Sequence, residues 1–191
     1  MRTAEFDREQ VLEAAMEVFC KKGYVKTTMQ DLKEATGLHP GSIYCAFKNK
    51  RGMLLAALNQ FIQSRWRQSQ LCLDSDDPLD GIQCYLHQLV EKLCMHHPHC
   101  LLSRTVADFS AVDSDIRDAL EQPWQELLQR LEKSLVKAQQ QGILKPAVSP
   151  RDGAWLLLVS VFGLRGFPSF MADAKSLHAS IDLQINLLRS E

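Results

Sequence analysis

The chain has 191 residues, 46% of them hydrophobic and 24% charged, which is ample for a packed core in one large domain or two small ones. Its 22 Lys and Arg against 23 Asp and Glu leave a net charge of −1, which excludes both a globally basic nucleic-acid coat and an acidic disordered chain. Nine Gly and seven Pro are too few for collagen-like or low-complexity sequence, and no apolar run reaches the roughly 18 residues needed to span a bilayer. The stretch from Ala154 to Leu164 comes nearest and is broken by Ser160 and Gly163. The start, Met1 to Asp7, has no apolar segment, so no secretory leader is expected and a cytoplasmic location is. Six Cys without such a leader predict reduced thiols, and the absence of any C-x-x-C spacing argues against a zinc ribbon. No cofactor or metal is expected.

The pattern predicts helices throughout. Asp7 to Lys22 carries Val11, Leu12, Ala15, Val18 and Phe19 at helical spacing and is stopped by Gly23. Thr27 or Thr28 caps a short helix to Thr36, through Thr27-x-x-Gln30 or Thr28-x-x-Asp31, with Met29, Leu32 and Ala35 as its buried stripe. Gly37 ends it. A third segment, His39 to Phe47, has Pro40 in its first turn and Ile43 and Phe47 on one side. A long helix follows from Asn49 or Lys50 to about Cys72. Asp77 and Pro78 open another, to about Met95. His96 to Cys100 interrupts the pattern, and Leu101 to Ser110 reads as a short apolar helix. Asp113 or Ser114 starts a long segment to Gln141 that Pro123 should kink or divide. Ser149-Pro150 opens a nearly all-apolar helix to Gly166, and a last helix from Asp173 to Arg189 has Leu177, Ile181, Ile185 and Leu188 on one face. No segment alternates with a two-residue period, so the fold class is all-α.

Charge is unevenly spread. Between Lys21 and Arg51 seven basic residues (Lys21, Lys22, Lys26, Lys33, Lys48, Lys50 and Arg51) face only Asp31 and Glu34, a local charge of +5 that leaves −6 on the rest. Such a window is either an ordinary solvated surface or a polyanion-binding face. Two short helices joined by a Gly-containing turn behind a longer helix form a helix-turn-helix. Its second helix has to enter a major groove about 12 Å wide, so the residues leading it must be small or polar. His39, Pro40, Gly41 and Ser42 meet that need. Tyr44 offers a hydroxyl for phosphate, the helix N-termini offer amides, and Lys48 and Lys50 follow at the groove edge.

Gly23-Tyr24-Val25-Lys26-Thr27-Thr28-Met29-Gln30-Asp31-Leu32, then Gly37-Leu38-His39-Pro40-Gly41-Ser42-Ile43-Tyr44, then Phe47-Lys48-Asn49-Lys50 resembles the TetR family of one-component bacterial transcriptional regulators. The resemblance covers about the first 55 residues. It implies an N-terminal three-helix DNA-binding domain, residues 1–48, and a C-terminal helical effector-binding and dimerisation domain, residues 49–191. It places phosphate contacts on Thr28, Tyr44 and Lys50 and base-edge contacts on His39, Pro40 and Gly41, within a DNA-binding set that also holds Thr27, Ser42 and Lys48. Many relatives carry Lys where Pro40 stands and Tyr-His where Cys45-Ala46 stands, so the operator sequence does not transfer. The implied protein is a regulator, not an enzyme. It would be a repressor that binds double-stranded DNA as a two-fold homodimer through its last two helices, and a small molecule would release it. No Ser-His-Asp context, phosphate-cradling loop or H-E-x-x-H motif argues for catalysis.

The sensory half is less specific. Residues expected to line an effector pocket are Trp66, Leu89, Leu93, Cys100, Arg104, Phe109, Trp124, Trp155, Val159 and Phe162, each of which could instead be plain core; Arg165 is a further possible partner for an anion. Cys94-Met95-His96-His97-Pro98-His99-Cys100 leaves three readings open: soft metal ligands, a thiol sensor at Cys100, or a loop of buried thiols and solvated imidazoles. Cys20, Cys72 and Cys84 fall at apolar helix positions and are expected in the core.

Overall fold

A computed structural model describes residues 6–95, 105, 114–166 and 173–190. Among them are eight helices: α1 Arg8–Lys26, α2 Met29–Thr36, α3 Pro40–Phe47, α4 Lys50–Leu73, α5 Pro78–Met95, α6 Ser114–Gln140, α7 Pro150–Gly166 and α8 Ala174–Leu188. The only extended pairing among the described residues is one antiparallel bridge between Leu144 and Arg189. No helix there is long and apolar enough to cross a membrane.

Local chemistry sets the helix ends. Asp7 caps α1 by accepting from the amides of Glu9 and Gln10. Gly23 breaks the geometry of that helix at φ 74°, and one further turn carries the chain to Thr27. Thr28 and Asp31 form a full capping box at the start of α2. Gly37, at φ 68°, ends the helix in the left-handed conformation. Asp77 accepts from the amides of Leu79 and Asp80 at the start of α5. Asp173 does the same for Ser176 at α8. Pro123 does not divide α6, which runs unbroken over Ser114–Gln140.

The chain divides into two compact units, Met1–Arg65 with His99–Glu121, and Trp66–Pro98 with Gln122–Glu191. The first unit therefore extends beyond the helix-turn-helix and takes in the first two thirds of α4. Its buried hydrophobic residues include Val11, Leu12, Ala15, Phe19, Leu32, Ile43, Phe47, Met53, Leu54, Ala57 and Leu58, with Ile116 and Leu120 from α6. Ala35, expected in the buried stripe of α2, is exposed; on so short a helix Leu32 alone reaches the core.

In the second unit α5, the later part of α6, α7 and α8 share one core, with Leu79, Leu86, Leu131, Leu157 and Ile181 among its members. Polar contacts bind α8 to α5. His87 Nε2 pairs with Asp182 Oδ1 at 2.8 Å, Gln83 donates to the same oxygen at 2.6 Å, and His178 Nε2 pairs with Glu91 Oε1 at 2.8 Å. Arg189 makes a two-pronged bond to Asp77 and reaches Asp80.

Cys72 and Cys84 correct a sequence expectation. They are a disulfide between the last turn of α4 and α5, with Cα atoms 5.7 Å apart, not two reduced core thiols. Cys72 is buried in the second core, but Cys84 is exposed.

Candidate nucleic-acid interface

The second helix of the helix-turn-helix is held by two residues. Ile43 is fully buried and Phe47 is 4% exposed. Arg8 lies over the Phe47 ring at 4.9 Å and Phe6 packs beside it. With that side fixed, Gly41, Tyr44, Cys45 and Lys48 form an exposed stripe at spacings of three and four residues. Tyr44 is 51% exposed, too open to serve as a packing residue. Ser42 and Pro40 flank the stripe, half-buried. Cys45 was absent from the residues expected to meet DNA. Its position four residues after Gly41 was the available signal.

One amide at the N-terminus of each short helix is already capped. Thr28 Oγ1 accepts from Asp31 N at 3.1 Å, and His39 Nδ1 accepts from Gly41 N at 3.3 Å. His39 is thus an exposed N-cap, and these two amides are not free for phosphate as expected. Asp31 also holds Lys22 Nζ at 2.7 Å. That bond, with the Thr28 backbone and hydroxyl bonds, lowers its carboxyl to about 2.

Two further expectations change. Thr27 is 1% exposed, and its hydroxyl donates to Gly23 O at 2.6 Å. It closes the kink in α1 and offers nothing to a ligand. Lys50 does not stand at an outer edge. Its Nζ donates to Tyr24 O at 2.9 Å and to Thr27 O at 2.7 Å, and lies 4.3 Å from the centre of the Tyr24 ring. Desolvation lowers its pKa. The ammonium staples the start of α4 to the link between α1 and α2.

The turn from α3 into α4 is tight. Lys48 is the one non-glycine residue with positive φ, 66°, among the described residues. A Cβ on Gly52 would sit 2.0 Å from Phe47 O, so only glycine lets α4 begin this close to the end of α3. Lys48 is exposed there, and Asn49 Oδ1 accepts from Gly52 N.

Of the residues expected to line an effector pocket, three among the described ones face outward. Trp155, Val159 and Phe162 are 50%, 64% and 50% exposed, because Ala154, Leu157, Leu158 and Val161 take the inward side of α7. Leu89 and Trp124 are half-buried against the second core, with the Trp124 ring 5.4 Å from that of Phe162. The side chains of Trp66, Leu93 and Arg165, and Cys100, Arg104 and Phe109, lie outside the described residues, as do the side chains of the Cys94 to Cys100 cluster.

Residues 11–57 match the family model described as bacterial regulatory proteins, tetR family. The HTH-type transcriptional repressor ComR of Escherichia coli (strain K12) is 41% identical over 61 residues, which are 32% of this chain and 29% of ComR. The probable HTH-type transcriptional regulator ArpR of Pseudomonas putida is 32% identical over 88 residues, 46% of this chain and 41% of ArpR. The matched stretches thus span well under half of these relatives' own lengths. Over whole chains the fold is similar to a cysteine variant of the TetR family transcriptional regulator CifR complexed with operator DNA, with TM-score 0.82 and 24% identity, covering 97% of this chain and 98% of that one. The capping box, the paired short helices and their shared glycine turn all lie in the segment, residues 11–57, that is similar to the tetR family of bacterial regulatory proteins.

Proposed function

We propose that the protein is a DNA-binding transcriptional regulator, a repressor that grips an operator as a two-fold homodimer and leaves it when a small molecule binds. The observation that carries this reading is the outward stripe of α3. A helix anchored by Ile43 and Phe47 holds out a glycine, a tyrosine hydroxyl and a lysine, within a window of charge +5. Gly41 admits close approach to bases, Tyr44 donates to phosphate, and Lys48 adds charge at the groove edge. Thr28, His39, Pro40 and Ser42 border this stripe, while Thr27 and Lys50 position it. DNA binding is assigned to residues 1–48 and effector binding and dimerisation to 49–191. Such a protein works where the chromosome is, in the cytoplasm, and no catalytic role is proposed for it.

One recognition helix reads too few bases for a genome; a two-fold dimer reads two half-sites about 34 Å apart. The last two helices carry the surface for it. α7 exposes Trp155, Leu156, Val159 and Phe162, and α8 exposes Leu183 and Leu187, both 60%. Ser160 Oγ donates to Gln184 Oε1 at 2.7 Å and holds the two helices together. Apolar patches of this kind mark association surfaces. An effector that binds one conformer better than the other shifts the population away from the spacing that fits DNA.

Selection of bound fragments from a genomic library tests the reading. An operator with two-fold symmetry is expected, with affinity falling by about 0.9 log unit per neutralised phosphate for each log unit of salt. Tyr44→Phe weakens binding while leaving the fold intact. Equal affinity of Tyr44→Phe and the parent protein for the selected operator refutes the assignment of α3.

A further inference from the structure

The Cys72–Cys84 pair takes no part in the function argued above. Cys72 is 4% exposed in the last turn of α4, while Cys84 is open to solvent on α5. The two helices meet there through backbone. A Cβ on Gly81 would lie 2.5 Å from Cys72 O and 3.0 Å from Ser75 Cβ, so α5 rests directly on the end of α4. Cys84 follows Gly81 by three residues, on the same side of α5. The close packing at Gly81 holds Cys84 beside Cys72, which favours closing of the bond. Disulfides in DNA-containing, reducing compartments are usually transient or redox-sensing.

We propose that Cys72 and Cys84 form a reversible disulfide switch. It is opened and closed at Cys84 by a low-molecular-weight thiol–disulfide couple, and it sets operator affinity by fixing or freeing the far end of α4. The regulatory half of this proposal rests on the DNA-binding reading. In the opening step an external thiolate attacks the accessible Cys84 sulfur. A mixed disulfide forms there, the Cys84–Cys72 bond breaks, and its electron pair leaves on Cys72, which takes up a proton. A second thiolate attacks the external sulfur of the mixed disulfide, releasing the small disulfide and a Cys84 thiolate, which also takes up a proton. In total the protein gains two electrons and two protons, and two small thiols become one disulfide. Closing reverses each step. The bond matters for function because of what α4 connects. The helix begins at Lys50, three residues after the recognition helix ends, and finishes at Leu73, beside the bond.

The test uses the full chain, equilibrated in glutathione buffers from strongly reducing to strongly oxidising. Samples are quenched with acid, alkylated, and mapped by peptide mass spectrometry. In the parent protein and in Cys20→Ser, Cys72 and Cys84 are expected to pass together from alkylated to protected in one transition. In Cys84→Ser, Cys72 is expected to be free throughout. Operator affinity is expected to differ by about 5-fold or more between the two ends of the series in the parent and to be constant in Cys84→Ser. Free thiols at Cys72 and Cys84 in the most oxidising buffer, or a bond still closed in the most reducing one, overturn the proposal. Operator binding that is tight and equal in both states overturns it while sparing the DNA-binding reading. No operator binding in either state removes that reading, and the regulatory half with it.

Discussion

Around the helix-turn-helix, geometry is fixed by short polar contacts and the absence of side chains. Thr28 and Asp31 cap one another's backbone, Lys50 bridges two carbonyls, and Gly52 allows α4 to press on Phe47. In the second unit the work passes to side-chain volume. Leu79, Leu86, Leu131 and Leu157 are all fully buried in one shared core. Polar contacts there lie at its margins, as in the Arg189 bonds to Asp77 and Asp80. The contrast follows from what each region presents. A surface proposed to approach a nucleic-acid backbone gains from caps and glycines, which take little room. A region that anchors long helices gains from buried apolar area.

The contrast predicts a ranking. Leu131→Ala opens a cavity in the second core and should cost about 2–5 kcal/mol in chemical denaturation. A much smaller loss would mean that this core collapses around the gap. Gly52→Ala drives a methyl into the Phe47 carbonyl and should cost about 1–3 kcal/mol. Because it displaces α4 from α3, it should also weaken operator binding by more than its effect on folding. If Gly52→Ala binds and folds like the parent, close approach is not what shapes this turn. Thr28→Ala removes one half of the capping box and should cost about 1 kcal/mol in thermal or denaturant unfolding.

Arg189→Ala should have the smallest effect, about 1 kcal/mol or less at neutral pH, since the pair is only partly buried. Its sign with pH is set by Asp77. The Arg189 hydrogen bond holds that carboxyl below its ordinary value. The stabilisation is therefore complete above the unfolded carboxylate pKa of about 3.9 and fades as pH falls below it. Denaturation curves of parent and Arg189→Ala should accordingly differ at pH 7 and converge in acid. A gap that persists unchanged in acid would show that Arg189 acts by packing and not by charge.

Much of the helix-turn-helix was readable along the chain. Helix starts and stops depend on residues within four positions of one another. Thr28, Gly37, Pro40 and Asp77 each announce a boundary, and each acts as its type requires. The burial of Ile43 and Phe47 follows from their spacing alone. Thr27 and Lys50 were harder. The first turns inward because the kink at Gly23 brings a carbonyl to its hydroxyl. The second is drawn to the Tyr24 and Thr27 carbonyls from 26 and 23 residues away. Neither separation leaves a mark in local spacing. α7 illustrates the same limit. A helix apolar on every side does not reveal which side meets the core, so Trp155, Val159 and Phe162 could be assigned as walls of a pocket although they face outward.

The order of residues, then, determined the helices, the left-handed stop at Gly37 and the identity of the helix-turn-helix, because caps, turns and periodicity act over a few residues at most. Tertiary structure alone decided which distant groups became partners. It paired Cys72 with Cys84, His87 with Asp182, and His178 with Glu91. Each pairing depends on how two helices cross, and a crossing is selected by the whole packed core instead of by any segment within it.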